Sequence, residues 1–376
     1  MINIEKVDTT SKKQVNEFVE FPFKIYEGVE QWVPPILSDI KIMLNSQKHP
    51  FYEHSDAEFF VARDEKGEML GRIAFLENKP SNKYHDKKVA CFYLFESVDD
   101  QAVAEKLFET GYDWARKRGL NQILGPKGLS TFDGYGFLVE GFEHRQMMTM
   151  MNYNLPNYPK FVEAMGFTKI VDWVSSYAKI PGFELPEKVK RVAERVEEKG
   201  KFKVVRFKNK SELKKWAWRI GQAYNKSFIN NWEYYPLTDN EIKFVLDNIM
   251  VVAVPDLLKI ITYNDEVVGF LLAFPDISAA LQKYKGRLSP IALYSYLREL
   301  KTTKWLSFNG IGVLPELHGM GGNALMFNEI YKSAKSHNFV DSELTQIAET
   351  ATEMRKDLEN LGVKPYKNHR IYGKDI

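Results

Sequence analysis

Apolar and polar positions along the chain repeat one plan twice. Glu58-Phe-Phe-Val-Ala-Arg63 and Met69-Leu-Gly-Arg-Ile-Ala-Phe-Leu76 are strand-length apolar runs on either side of Asp64-Glu-Lys-Gly67, the pattern of a β-hairpin. The same pattern returns as Leu258-Lys-Ile-Ile-Thr-Tyr263 and Val267-Val-Gly-Phe-Leu-Leu-Ala-Phe274 around Asn264-Asp265. Each second strand carries an apolar-Gly-X-apolar-apolar core, centred on Gly71 or Gly269. Further on, Phe161-Val-Glu-Ala-Met-Gly-Phe167 and Leu358-Glu-Asn-Leu-Gly-Val363 each predict a helix closed by a glycine, Gly166 or Gly362, before another strand. Between these anchors each half holds one more strand and helix. In the first they are 89–95 and 102–118, with Val103, Leu107, Tyr112, Trp114 and Ala115 on a helical period; in the second they are 305–313 and 324–335. One order of elements met twice predicts a duplicated α/β unit.

The halves differ in their insertions. The first adds a Gly- and Met-rich segment, 125–154; the second adds 277–304, expected to be helical around Ile291 to Leu300. Pro181-Gly-Phe-Glu-Leu-Pro186 reads as a linker, and the charged amphipathic helix at 187–199 as a solvated face. The expected organisation is therefore a domain over 1–180, a linker and helix over 181–200, and a second domain over 201–376.

Composition narrows the function. At 376 residues the chain exceeds one ordinary core, and its 44% hydrophobic and 27% charged residues are those of a water-soluble globular protein. A formal net charge of +2 gives no global attraction to nucleic acid. The single cysteine, Cys91, excludes an internal disulfide and a thiolate metal cluster and fits a reducing compartment. Met1-Ile-Asn-Ile-Glu-Lys lacks the pattern of a signal peptide, and the most apolar window, 244–262, is broken by Asp247, Pro255 and Asp256. A cytoplasmic protein without a membrane partner is expected.

The densest chemical signal is Phe308-Asn-Gly-Ile-Gly-Val-Leu-Pro-Glu-Leu-His-Gly-Met-Gly-Gly-Asn-Ala-Leu325. An apolar strand ends near Val313, a turn holds Gly319, Gly321 and Gly322, and a helix follows. Glycines at a strand-to-helix turn let backbone N–H groups gather around an anion at the positive end of the helix dipole. The matching turn of the first half, Phe95-Glu-Ser-Val-Asp-Asp100, has no glycine and three carboxylates, which satisfy a helix N-terminus themselves and repel a diphosphate.

With hairpin, strand, glycine turn, helix, strand, capped helix and strand in order, the chain resembles the GNAT acyltransferase superfamily, as a tandem member. The resemblance implies an α/β fold of two GNAT-like domains, each a mixed, mostly antiparallel sheet flanked by helices, the first degenerate. It implies acetyl-CoA or another acyl-CoA held between splayed strands, with no metal. That superfamily grips the pyrophosphate through Arg/Gln-X-X-Gly-X-Gly/Ala. Here His318 takes the basic position, Gly321 the first glycine and Asn323 the last, so both outer positions depart from the pattern. The implied cofactor site is Ile311, Gly312, Val313, His318, Gly319, Met320, Gly321, Gly322 and Asn323.

Acyl transfer to an amine requires a proton acceptor, an oxyanion donor and an acid for the thiolate. Glu349, ending Leu344-Thr-Gln-Ile-Ala-Glu349, is the candidate base, or else a first-turn carboxylate of the next helix. Glu343 and Asp341 are expected at the surface. The superfamily's usual tyrosine acid is replaced by Leu358 here and Val162 in the first half, leaving Tyr372 or Tyr366 to substitute. Asn231, Trp232, Tyr234 and Tyr235, in the loop before a helix capped by Thr238, are the candidate acceptor lid. Trp32-Val-Pro-Pro35 and His49 to His54 hold the equivalent place in the first half. The seven histidines have no paired metal spacing. The reading is an acyl-CoA-dependent N-acyltransferase, acting as monomer or homodimer on a small-molecule or peptide amine. The alternatives are a non-catalytic relative binding a small ligand or partner, and a tRNA-dependent aminoacyl transferase, against which the near-neutral charge speaks.

Overall fold

The structure, a computed structural model, describes residues 1–130, 132–148 and 151–376. Three positions of the Gly- and Met-rich insertion, Thr131, Thr149 and Met150, lie outside the described residues. Along the first half the elements are β1 (Asn3–Lys6), α1 (Lys12–Glu20), α2 (Pro22–Ile25), α3 (Leu37–Met43), β2 (Asp56–Arg63), β3 (Met69–Glu77), α4 (Lys79–His85), β4 (Val89–Ser97), α5 (Gln101–Arg116), β5 (Gln122–Gly125), β6 (Phe137–Glu140), α6 (Asn157–Ala164) and β7 (Thr168–Lys179). The second half runs α7 (Glu187–Lys199), β8 (Phe202–Val205), α8 (Lys210–Ser227), α9 (Asp239–Val252), β9 (Leu258–Tyr263), β10 (Glu266–Pro275), α10 (Ser278–Tyr284), α11 (Pro290–Thr302), β11 (Trp305–Val313), α12 (Gly322–Ser336), β12 (Asp341–Ala348), α13 (Thr352–Leu361) and β13 (Lys364–Asp375).

Two compact units result. The first holds 1–173, 278–295 and 367–376; the second holds 174–277 and 296–366. The chain thus lends part of its second insertion and most of its last strand to the first unit, which a cut near residue 180 does not anticipate.

In the first unit the strands follow the order β1-β2-β3-β4-β5-β13, antiparallel except for the β4–β5 pair. Its core packs α5 on this sheet through Val103, Leu107, Phe108 and Trp114 against Ile73, Phe75 and Phe92. Gly111 lets helix and strand meet there, since a Cβ on it would fall 2.0 Å from the Phe75 ring. A buried polar cluster sits beside this core. Glu96 accepts hydrogen bonds from the Tyr26 hydroxyl at 2.6 Å and the Tyr158 hydroxyl at 3.1 Å. Arg72, its register partner on β3, lies 3.7 Å away and donates to the Phe18 carbonyl. Of the three carboxylates expected around the helix start, Glu96 therefore turns inward, while Asp100 caps α5 as anticipated. Burial pushes the Glu96 carboxyl up to about 7, against the pull of Arg72 and the two tyrosines.

The second unit follows β7-β12-β11-β10-β9-β8. Its core gathers Ile261, Val268, Leu271 and Leu306 with Leu325, Met326 and Ile330 of α12. The loop before α9 ends in a full capping box, Thr238 with Glu241.

Two outcomes are expected. Gly111→Ala lowers stability by about 2 kcal/mol or more in a denaturant titration, because the ring has to move. Glu96 is held neutral more readily in the folded chain than in the unfolded one, so its burial favours folding at low pH and ceases to as pH rises towards 7. The melting temperature of the native chain minus that of Glu96→Gln should therefore fall between about pH 5 and about pH 7.5. A flat or rising difference contradicts this.

Candidate active site

The site begins where two parallel strands part. β11 and β12 are in register from Trp305↔Asp341 to Phe308↔Leu344, and there the pairing ends, although β11 continues to Val313 and β12 to Ala348. On its other side β11 stays paired with β10 as far as Gly269↔Val313. The β10 register jumps from Gly310 to Phe308, so Asn309 is an extra residue and the strand bends at the parting point. On the β12 side, the backbone of β11 beyond Phe308 has no strand partner among the described residues.

Beyond Val313 the chain makes a short turn at Pro315–Leu317 and reaches the glycines. Gly321 is the N-cap of α12 in a left-handed conformation, φ +88°, and no side chain caps the helix. No acceptor among the described residues takes the N–H groups of Gly322, Asn323 or Ala324. His318, Gly319 and Met320 are exposed, and Gly319, Met320 and Gly321 border a groove of about 320 Å³ whose other wall is α7 and the start of β8. Arg195, Lys199 and Lys201 line that wall beside Val192, Val196 and Phe202.

α7 is therefore more than the solvated face its sequence suggested. Val192 and Val196 lie against Gly321, where a Cβ would fall 2.7 Å from Val196 and 3.0 Å from Val192. The apolar spacing of Val189, Val192 and Val196 carried that signal, but the surrounding Glu, Lys and Arg residues masked it.

The departures from the superfamily pattern have visible consequences. The His318 Nε2–H donates to the Val313 carbonyl at 2.9 Å, since a carbonyl only accepts, and Nδ1 lies 3.3 Å from Glu353. His318 thus ties the turn to the end of β11 instead of pointing a free donor at an anion. Asn323 donates to Asp357 of α13 at 2.9 Å, which draws its side chain towards that helix.

Other predicted residues scatter. Tyr372 belongs to the first unit, where it is 1% exposed and its hydroxyl donates to Glu163 at 2.6 Å; it is a core residue there. Tyr234 and Tyr235 are buried, with hydroxyls on Asn225 and Glu241, so they anchor the loop, leaving exposed Asn231 and half-buried Trp232 nearer its surface. Glu349 follows β12 directly and is half-buried. Glu343, expected at the surface, is fully buried, opposite Ser307 in register and accepting a hydrogen bond from the Tyr366 hydroxyl. Asp341 accepts from Tyr177, whose hydroxyl that bond helps push up to about 12. Glu343 escaped notice because a carboxylate in a strand reads as an outward position, and only the tyrosine of a distant strand reveals otherwise. In the first unit, Trp32 stacks on Tyr26, and the buried His49 packs by Phe51 and Tyr52. No group of three metal-binding side chains occurs among the described residues.

The matching edge of the first unit is closed by its own chain. Pairing of β4 with β5 ends at Cys91↔Leu124, then the Lys127 N–H donates to the Phe92 carbonyl at 2.9 Å. The Ser97 N–H donates to the Tyr158 hydroxyl at 2.8 Å, and Asp100 caps the helix.

No family model matches the chain. It is 25% identical over 372 residues to Protein YghO of Escherichia coli (strain K12), covering 97% of this chain and 94% of that protein. It is 24% identical over 381 residues to the bacterial ceramide synthase of Caulobacter vibrioides (strain NA1000 / CB15N), covering 100% and 98%. Among solved structures, a tandem GNAT protein from the clavulanic acid biosynthesis pathway is similar with a TM-score of 0.58 at 10% identity, over 100% of this chain and 98% of that one. The fold is the tandem GNAT fold. A GCN5-related glucosamine N-acetyltransferase region of a fungal multi-domain β-N-acetylglucosaminidase gives a TM-score of 0.59 at 14% identity, over 100% of this chain and 38% of that one.

The second unit's residues suit an anionic ligand that carries amides. An uncapped helix start, an exposed glycine turn and three nearby cations suit a diphosphate, and an unpaired strand edge suits an amide-bearing arm. Gly321→Ala should cost about 2 kcal/mol in stability, because it combines a left-handed backbone with a clash against Val196. Thermal unfolding reads this directly; a variant as stable as the native chain contradicts the packing described.

Proposed function

We propose that the protein is an acyl-CoA-dependent N-acyltransferase whose second unit binds the acyl-CoA. The observation that carries this reading is the coincidence of the β11–β12 parting with the uncapped start of α12, a few residues apart on one strand-turn-helix. The amine nitrogen attacks the thioester carbonyl, the C–N bond forms, the C–S bond breaks, and the amine proton is lost. Amide N–H groups between Gly310 and Val313 are the nearest oxyanion donors. Two carboxylates flank the parted stretch of β12, Glu343 two residues before its start and Glu349 just past its end. Glu349 is the proposed base and Tyr366, already bonded to Glu343, the proposed acid. Arg195, Lys199 and Lys201 screen the phosphates, taking over the role that His318 has given to the Val313 carbonyl.

The name of the Caulobacter relative supports an amine acceptor, since a ceramide is an amide of a long-chain amino alcohol. Long-chain amines are therefore the acceptors to test first, with acetyl-CoA and long-chain acyl-CoA as donors. The site's polar groups are compatible with either donor, because the reacting thioester is common to both.

Calorimetry with CoA should give saturable binding, weakened at least about tenfold in Lys199→Glu/Lys201→Glu and more strongly affected at low salt. No heat with CoA or any acyl-CoA overturns the proposal. With donor and acceptor supplied, mass spectrometry should detect the amide, and Glu349→Gln should lower kcat about a hundredfold or more with little change in KM. Tight CoA binding without any amide product would favour the non-catalytic, ligand-binding alternative.

A further inference from the structure

The second insertion is absorbed by none of this chemistry, yet its first part is firmly built into the first unit. Ala280 and Leu281 of α10 are buried, and the Gln282 side chain donates to the carbonyls of Glu30 and Trp32 at 2.7 and 2.9 Å. The Leu37 N–H donates to the Gly286 carbonyl, and Gly286 is so close to Pro35 that a Cβ would fall 1.9 Å from its carbonyl oxygen. Arg287 reaches Glu20 at 3.1 Å. On this fixed base α11 presents two unlike faces. Ala292 and Tyr296 are buried, whereas Ile291, Tyr294 and Leu297 are 69%, 68% and 59% exposed, with Leu288 and Leu293 also exposed. At helical spacing Ile291, Tyr294 and Leu297 share the outward side with Arg298 and Lys301. Scattered exposed apolar residues are ordinary, but five within ten residues form a patch that calls for an occupant.

The charge around the patch indicates which occupant. From 283 to 304 the chain holds Lys283, Lys285, Arg287, Arg298, Lys301 and Lys304 against the lone acid Glu299, in a protein whose formal net charge is only +2. Apolar side chains flanked by cations are the composition of a helix lying in the interface of an anionic bilayer. A second copy of the same face would bring like charges together. At 13 residues α11 spans about 20 Å, too short to cross a membrane, and no helix among the described residues is long and apolar enough to do so. We propose that α11 docks the protein on an anionic lipid surface, with Ile291, Tyr294 and Leu297 among the headgroups and upper acyl chains and Arg298 and Lys301 at the phosphates. This revises the expectation of no membrane partner, and it stands whether or not the acyl-transfer reading holds.

The test is flotation of the full chain with vesicles of phosphatidylglycerol and phosphatidylethanolamine, beside vesicles of phosphatidylcholine alone. The native chain should float with the anionic vesicles and far less with the neutral ones. Ile291→Glu/Tyr294→Glu/Leu297→Glu should reduce binding at least about tenfold, while its circular dichroism and melting temperature stay native. Arg298→Glu/Lys301→Glu should lower it by a similar factor, and so should raised salt. Failure of the native chain to float with anionic vesicles overturns the proposal, as does equal flotation of the triple variant. A dimer in light scattering that the triple variant splits would assign the face to a second copy and overturn it as well.

Discussion

The second unit depends on β11 losing its parallel partner after Phe308↔Leu344 while keeping its antiparallel one. A strand released on one side exposes backbone donors and acceptors that something has to satisfy. The bulge at Asn309 bends the strand at that point. Gly321, held at φ +88° against Val192 and Val196, sets where α12 begins and leaves its first amides uncapped. One short stretch of chain thus presents an unpaired edge, a glycine turn and a helix N-terminus in sequence.

The first unit shows how the same plan is closed. Its β4 parts from β5 in the same manner, but Lys127 and the Tyr158 hydroxyl satisfy the released backbone, and Asp100 supplies the cap that α12 lacks. Glu96, Arg72, Tyr26 and Tyr158 then knit the adjoining interior into a buried network, at the cost of taking the Arg72 guanidinium out of water. The first unit's edge is thus met by its own groups, whereas the corresponding stretch of the second unit has no β12 partner among the described residues.

Local patterns made much of this legible. The hairpins, the glycine ends at Gly166 and Gly362, the Thr238 cap and β11 itself follow from periodicity and turn chemistry that act within a few residues. The glycine turn was readable for the same reason. What escaped depends on where distant strands go. Tyr372 looked available because the last strand follows α13, yet that strand's end pairs with β5 in the first unit. Glu343 looked exposed because its cover, Tyr366, comes from β13. The basic wall of the groove was hidden in a helix whose charges read as solvation, and only packing against Gly321 gives those cations an address.

The central claim is that the turn amides of the second unit meet the phosphates of an acyl-CoA. Hydrogen–deuterium exchange of the full chain with and without CoA addresses it most directly, because it reads those N–H groups themselves. Slowed exchange confined to peptides covering 310–325 and 192–202, with the first unit's 95–102 unchanged, is the result the account predicts. Unchanged exchange over 310–325 at saturating CoA, or protection appearing at 95–102 instead, would contradict it.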